Sequence, residues 1–325
     1  MPESHRPKIS VIIPLKRLNA YVRESLEGLR RQTYTNFDVY VVTDGAERLE
    51  ETQLDVTFLA SGPVPPNVKR MMAAEQSDAE IVALIDDDAC PVPGWLEAAA
   101  AHFSDATVVG VGGPGVTPQH DSPMQQASGA VYVSPLVSAR YTYRYLPEAA
   151  RDVDDCPSCN LFVRRAAFLK HVPECLQYWP GEDTKLCLLL TKDDGKRIVY
   201  DPRVLVFHHR RALFWGHFRQ VWNYAVHRGF FAKRYPETSL RFAYFVPAIF
   251  VLANVVLVGL ALWEPTRRAA ALMASLYILG VIASALWARR SHRANPAVVS
   301  MGIYLTHVTY GLGFMLGLLR TELDH

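Results

Sequence analysis

The chain has 325 residues, about two domains at roughly 150 residues each, and is too long for a miniprotein stapled by disulfides. Half of its residues are hydrophobic, with a mean hydropathy of +0.04, which excludes a disordered chain; a charged fraction of 20% excludes a protein embedded throughout in lipid. Thirty-four Lys and Arg against 32 Asp and Glu leave only +2, so nucleic acid is not an expected partner, and five scattered cysteines fit reduced thiols rather than a secreted disulfide framework.

Residues 1–8 are polar, and the apolar run after them is about six residues, shorter than the h-region of a signal peptide, so this part is expected to stay in the cytoplasm. Residues 9–13 form a β-branched run ended by Pro14, and 21–32 carry Val22, Leu26 and Leu29 at helical spacing. The alternation continues with a strand over 39–43 closing at Asp44-Gly45, another over 56–59, a helix over 67–76 and a wholly apolar strand over 81–85. Such strands separated by helices predict a parallel sheet covered on both faces. Ligands then sit beyond the carboxyl ends of the strands, where Pro14, Asp44 and Asp86 fall. No GxGxxG follows the first strand, so a dinucleotide site of the Rossmann kind is not expected.

Asp86-Asp87-Asp88 directly follows the strand 81–85. Like charges held so close are costly unless a cation is present. Alternation along an extended segment turns Asp86 and Asp88 the same way, able to share a divalent ion, while Asp87 faces elsewhere. The plainer reading is an acidic turn ahead of the helix that begins near Trp95. Downstream, 152–159 is acidic and turn-rich and 160–164 reads as a strand. Trp179-Pro180-Gly181 sets Glu182 and Asp183 at the start of a helix running to Leu190, near its positive end. Cys156-Pro157-Ser158-Cys159 has CxxC spacing. There is no second CxxC, and Cys175, Cys187 and His171 match no standard zinc module, so neither a redox pair nor a zinc site is favoured.

Together these residues resemble the family 2 glycosyltransferases, nucleotide-sugar enzymes of the GT-A fold. The resemblance covers about residues 8–235. It is carried by Val11-Ile12-Ile13-Pro14, Val41-Val42-Thr43-Asp44-Gly45, Lys69-Arg70, Ile85-Asp86-Asp87-Asp88-Ala89-x-Pro91 with Trp95, Gly181-Glu182-Asp183 and His208. It implies Asp44 at the nucleoside base, Mg²⁺ or Mn²⁺ held by Asp86 and Asp88 on the donor diphosphate, and Asp183 as catalytic base with Glu182 orienting it. The nucleotide-side candidates are Pro14, Asp44, Lys69, Arg70, Asp86, Asp87, His208 and Arg228; the acceptor-side candidates are Asn160, Gln220 and Trp222. Displacing a nucleoside diphosphate from an anomeric carbon leaves charge that a divalent cation stabilises, and a carboxylate must deprotonate the incoming hydroxyl. Direct attack in that arrangement inverts the anomeric centre.

Between Arg203 and Arg241 lie Arg210, Arg211, Arg219, Arg228, Lys233 and Arg234 against one acid, Glu237. Phe214, Phe218, Val221 and Ala225 share a helical face, and Trp215, Trp222 and Tyr224 suit a headgroup boundary. A helix lying on the cytoplasmic leaflet is expected, with anionic lipid as its partner. Phe218-Arg219-Gln220-Val221-Trp222-Asn223-Tyr224 with Arg228-Gly229 is similar to the Arg-Gln-x-x-x-Tyr-Gly-x-Gly/Arg region of membrane-bound bacterial polysaccharide glycosyltransferases, succinoglycan-type enzymes included, with Ala225 in place of the usual Gly. The Gln-x-x-Arg-Trp motif of processive cellulose-synthase-like enzymes is absent.

Residues 242–263, 269–288 and 297–319 are apolar runs long enough to cross a bilayer, and Gly313-x-x-x-Gly317 offers a small-residue surface for another helix. Arg289, Arg290 and Arg293 between the second and third runs, and the basic segment before the first, predict a cytoplasmic placement for both. The expected organisation is a cytosolic GT-A domain over 1–202, a basic interface segment over 203–240 and a membrane domain over 241–325. The expected activity is inverting transfer from a nucleotide sugar, with a UDP-sugar as donor, to a lipid-linked saccharide or another acceptor at the inner membrane. The alternatives are polyprenyl phosphate as direct acceptor, a catalytically inactive nucleotide-sugar-binding scaffold, and a nucleotidyltransferase, whose Gly-rich activation loop is not visible near the first strand.

Overall fold

The computed structural model describes residues 6–50 and 53–323; the polar start at 1–5 and the last two residues lie outside them. The chain divides into two compact units. One ends at Val116 and resumes over Leu146–His208; the other is made of Thr117–Tyr145 with the residues from His209 onward. Residues 117–145, assigned by sequence to the first domain, therefore belong with the C-terminal helices. The reason lies in the helix Pro123–Val133, which is buried at every position from Gln126 to Val133 and so needs cover all round.

The first unit carries β1 (Ile9–Pro14), β2 (Phe37–Thr43), β3 (Val56–Ala60), β4 (Ile81–Ile85), β5 (Ala89–Pro91), β6 (Val108–Gly112), β7 (Gly115–Val116), β8 (Arg151–Val153), β9 (Asn160–Arg164), β10 (Arg197–Tyr200) and β11 (Val206–His208). Eight of them form one sheet in the order β3-β2-β1-β4-β9-β6-β10-β8, and β5-β11-β7 form a second, smaller one. Side chains of β4 alternate between two cores: Ile81, Ala83 and Ile85 pack with Val22, Leu29 and Trp95, whereas Val82 and Leu84 pack with Ala73, Phe168 and Leu186. The sheet is thus covered on both faces, as the apolar strands require.

The sheet is not wholly parallel. β9 runs antiparallel to both β4 and β6, and β8 antiparallel to β10. The sheet is thus mostly parallel, as expected; an apolar strand buried on both faces carries no mark of its direction, so composition does not say which strands reverse. The direction matters, because antiparallel register sets Asn160 opposite Ile85 and brings the residues before β9 beside those after β4. β11 likewise pairs antiparallel with β5, setting His208 opposite Ala89.

In the second unit, Phe242–Leu262, Glu264–Ala288 and Pro296–Leu319 are long and apolar enough to cross a membrane. Two polar residues among them are internally paired: Asn254 Nδ2 donates to the Phe250 carbonyl at 2.8 Å, and His307 lies between the Tyr277 hydroxyl at 3.0 Å and the Leu136 carbonyl at 2.9 Å. The helix Trp215–Arg234 packs along Pro296–Leu319 with near-touching backbones. A Cβ on Gly229 would stand 2.2 Å from the Phe314 carbonyl oxygen, and one on Gly317 would stand 2.0 Å from that of Val226. The small-residue surface expected at Gly313 and Gly317 is occupied by this helix. Of the face expected to be apolar, Val221 and Ala225 are buried against protein and Phe214 and Phe218 are half-buried, while Trp215, Trp222 and Tyr224 stay exposed. His217 on the same helix is buried between Ser128 Oγ at 2.8 Å and Thr306 Oγ1 at 3.0 Å, a contact with no signature in sequence.

Replacing Gly317 by Val forces the two backbones apart and is expected to destabilise the detergent-solubilised protein by about 1–3 kcal/mol. Gly259→Val, where nothing lies within 4 Å of the new Cβ, serves as control and leaves the unfolding midpoint unchanged. Thermal unfolding monitored by circular dichroism compares the two.

Candidate functional site

β4 ends at Ile85, and the chain turns at once: the Ala89 amide donates to the Asp86 carbonyl at 3.1 Å, so the three acids occupy a turn rather than an extended segment. Each carboxylate takes a different partner. Asp86 Oδ1 accepts from Arg70 Nη2 at 2.6 Å, Asp87 Oδ2 from Asn19 Nδ2 at 2.5 Å, and Asp88 Oδ1 lies 3.1 Å from His208 Nε2. Asp87 does face elsewhere, but toward the residue that caps the helix Ala20–Arg30, which argues against its expected place on the nucleotide. His208, at the end of β11, stands beside Asp88 because of the β5–β11 pairing.

Arg70 is buried and bridges two elements, donating through Nη1 to Glu182 Oε1 at 3.1 Å as well as to Asp86. Glu182 and Asp183 open the helix Glu182–Leu188, whose entry is set by Gly181 at φ 118°, a left-handed conformation suited to glycine. Glu182 is buried, whereas Asp183 is half-buried, with Oδ2 accepting from the Ser158 amide at 3.2 Å and Oδ1 from the Thr184 amide at 2.7 Å. Burial, and then the neighbouring Asp183 charge, push the Glu182 carboxyl up to about 7.

Among the nucleotide-side candidates, Pro14 ends β1 opposite Val42. Asp44 follows β2 and is paired with the buried Lys69, which also donates to the Leu15 carbonyl at 2.6 Å. Lys69 therefore positions Asp44 rather than presenting a free ammonium. The expectation for Asn160 is corrected: its side chain is buried, accepting from Trp95 Nε1 at 2.9 Å and donating to the Val204 carbonyl at 2.7 Å, so it locks the core and does not face an acceptor. Gln220, Trp222 and Arg228 belong to the second unit. There Gln220 accepts from the Tyr132 hydroxyl at 3.4 Å and donates to that of Tyr224 at 3.1 Å. Arg228 donates to Ser239 Oγ at 3.3 Å and stacks over Tyr244 at 4.8 Å.

Sequence reasoning missed Ser158, whose amide orients Asp183, and Cys159, whose sulfur lies with Asp86 and His208 in a group of ligand atoms all within 4.8 Å of one another. The CxxC spacing marked the segment but not its neighbours. An oxygen, nitrogen and sulfur donor set converging in this way fits a divalent cation.

The family model described as "Glycosyl transferase family 2" matches residues 10–172, half of the chain. A "Pre-mycofactocin glycosyltransferase" of Mycobacterium tuberculosis is 28% identical over 221 residues, 64% of this chain; the alignment spans 44% of that relative, less than half its length. A "Glucosyl-dolichyl phosphate glucuronosyltransferase" of Haloferax volcanii is 24% identical over 244 residues, covering 66% of this chain and 74% of the relative. Among solved structures, a mannosyltransferase from Pyrobaculum calidifontis, in complex with GDP-Man and Mn²⁺, superposes with a TM-score of 0.62 at 17% identity, covering 96% of this chain and 88% of its own. GalNAc-T7 with UDP, GalNAc and Mn²⁺ superposes with a TM-score of 0.50 at 14% identity, covering 74% and 52%. These likenesses are of fold, and the α/β sheet with flanking helices is the GT-A arrangement that the family resemblance implies.

Two outcomes follow from Arg70. Arg70→Met leaves a buried Glu182 without its partner and is expected to cost on the order of 3 kcal/mol in stability, read by denaturant unfolding. Glu182→Gln tests the raised carboxyl. A folded-state value near 7 against an ordinary 4.5 contributes stability that is present below 4.5 and is lost as pH rises through about 7. The wild-type midpoint is therefore expected to fall over that window and the Gln variant to stay flatter, in thermal scans at stepped pH.

Proposed function

Because the chain belongs to glycosyl transferase family 2, we propose that it moves a sugar from a nucleotide-diphosphate donor, a UDP-sugar in our reading, to a lipid-linked saccharide or similar membrane-associated acceptor, with inversion. The observation that carries this reading is the Arg70 bridge. It joins Asp86 of the strand-end turn to Glu182, the neighbour of Asp183, on one buried guanidinium, which supports a reading with a cation-binding group and a base in one site.

In this reading Asp183 is the base, since it is the more accessible of the pair and two backbone amides fix its carboxylate toward an incoming hydroxyl. Glu182, buried on Arg70, positions it. Asp44, held by Lys69 at the end of β2, recognises the nucleoside. Asp86 and Asp88 with His208 hold the divalent ion, which when bound neutralises charge building on the departing diphosphate. The three long apolar helices anchor the chain, and the arginines at 289, 290 and 293 favour a cytoplasmic placement of the loop between the second and third. A lipid-linked saccharide as acceptor is supported by the haloarchaeal relative, whose name gives glucosyl-dolichyl phosphate as its substrate.

Asp183→Asn is expected to lower transfer to a hydroxyl acceptor by about 10²–10⁴-fold while donor binding persists. Membranes supplied with labelled nucleotide sugar, with and without EDTA, give the readout as nucleoside diphosphate released and lipid product formed. Wild-type turnover by the Asn variant overturns the base assignment. Unimpaired transfer only to a polyprenyl phosphate, whose oxygen is already ionised, points to the phosphate as acceptor, and release of pyrophosphate points to a nucleotidyltransferase.

A further inference from the structure

Cys159 has no part in the function proposed above, yet the fold carries it to the centre of the site. Antiparallel pairing of β9 with β4 sets Asn160 opposite Ile85, so the residue before one strand meets the residue after the other, Cys159 beside Asp86. The β5–β11 pairing delivers His208 to the same place, with Asp88 at 3.1 Å from its Nε2. The ligand atoms of Asp86, Cys159 and His208 lie within 4.8 Å of one another. Two ligands of one ion stand at most the sum of their bond lengths apart, about 4.4 Å for a sulfur at 2.3 Å and a nitrogen at 2.1 Å, so small side-chain rotations close the set. The two halves of the CxxC segment have separate surroundings: Cys156 is buried with its thiol toward the Asn160 carbonyl at 3.7 Å, while Cys159 is half-buried at the site.

We propose that Cys159 is a ligand of the cation site, so that the site takes a borderline-soft divalent ion such as Mn²⁺, Co²⁺ or Zn²⁺ in preference to Mg²⁺. A thiolate joined to imidazole and carboxylate raises affinity along that series, whereas Mg²⁺ keeps to oxygen ligands. A thiol that ligates a divalent ion would do so as thiolate, its proton passing to solvent. The inference rests on the reading that Asp86 and His208 hold the donor's cation, and it adds a ligand that makes the site sensitive to thiol reagents.

The test uses the full chain in detergent titrated with Co²⁺ alone. A sulfur-to-cobalt charge-transfer band in the near ultraviolet is expected, together with weaker visible cobalt bands. In Cys159→Ser the charge-transfer band disappears and Co²⁺ binding weakens on the order of tenfold or more. Should that variant fold poorly, the wild-type protein supplies the second measurement: Mn²⁺ or Co²⁺ slows alkylation of Cys159 by iodoacetamide, followed by peptide mass spectrometry, while Mg²⁺ at equal concentration protects less. Absence of Co²⁺ binding, cobalt bands without charge transfer, a band that persists in Cys159→Ser, or no protection each overturns the inference. Failure here is separable from failure of the proposed function. EDTA-sensitive transfer by a wild-type protein that shows no charge-transfer band removes only the sulfur ligand, whereas a fully active Asp183→Asn removes the base irrespective of the spectrum.

Discussion

A buried guanidinium between two acids is the constraint on which the site depends. Asp86, Asp88, Glu182 and Asp183 come from a strand-end turn and a helix start far apart in the chain, and carboxylates brought together without countercharge repel. Arg70, from the helix Pro66–Gln76, reaches Asp86 at 2.6 Å and Glu182 at 3.1 Å, and so joins the two groups. Such a buried bridge adds little to stability in itself, because taking the charges out of water offsets their attraction. Its effect is geometric. It sets the distance between the turn that is suited to a cation and the helix that bears the candidate base, and it leaves Asp183, the less buried acid, to be oriented by the backbone amides of Ser158 and Thr184.

Strand direction supplies the rest of the site. A parallel β9 would have put Arg164, not Asn160, beside the end of β4, and Cys159 would have lain at the opposite edge of the sheet. The observed antiparallel register gathers Asp86, Ser158 and Cys159 at one end of two neighbouring strands, and the small β5-β11-β7 sheet adds His208. Asp86, Ser158 and Cys159 sit just outside regular structure, in the turn beyond or before a strand, and His208 is the last residue of its strand, so a rigid scaffold holds each side chain.

The second unit is ordered by close backbone approach. Gly229 and Gly317 let the helix Trp215–Arg234 lie against Pro296–Leu319, and the surface so covered is the one that periodicity alone suggests for lipid. An amphipathic pattern identifies a face to be removed from water without naming what removes it, and protein and bilayer satisfy the requirement equally. The outward aromatics Trp215, Trp222 and Tyr224 are what the covered face leaves for other surroundings.

Much was legible in the sequence by itself. It determined the first four strands of the first unit, β9 and the helices between them, the three long apolar helices, the acids at the end of β4 and the Glu182-Asp183 pair at a helix start, because period, run length and local charge state what a segment is. The tertiary structure alone decided that β9 runs antiparallel, that the segment 117–145 belongs with the C-terminal helices, that Asn160 is closed in by Trp95 and Val204, and that Cys159 stands beside Asp86 and His208. The physical reason is that those outcomes depend on hydrogen bonds and packing between segments distant along the chain, whose energies are properties of pairs and leave no mark on either member alone.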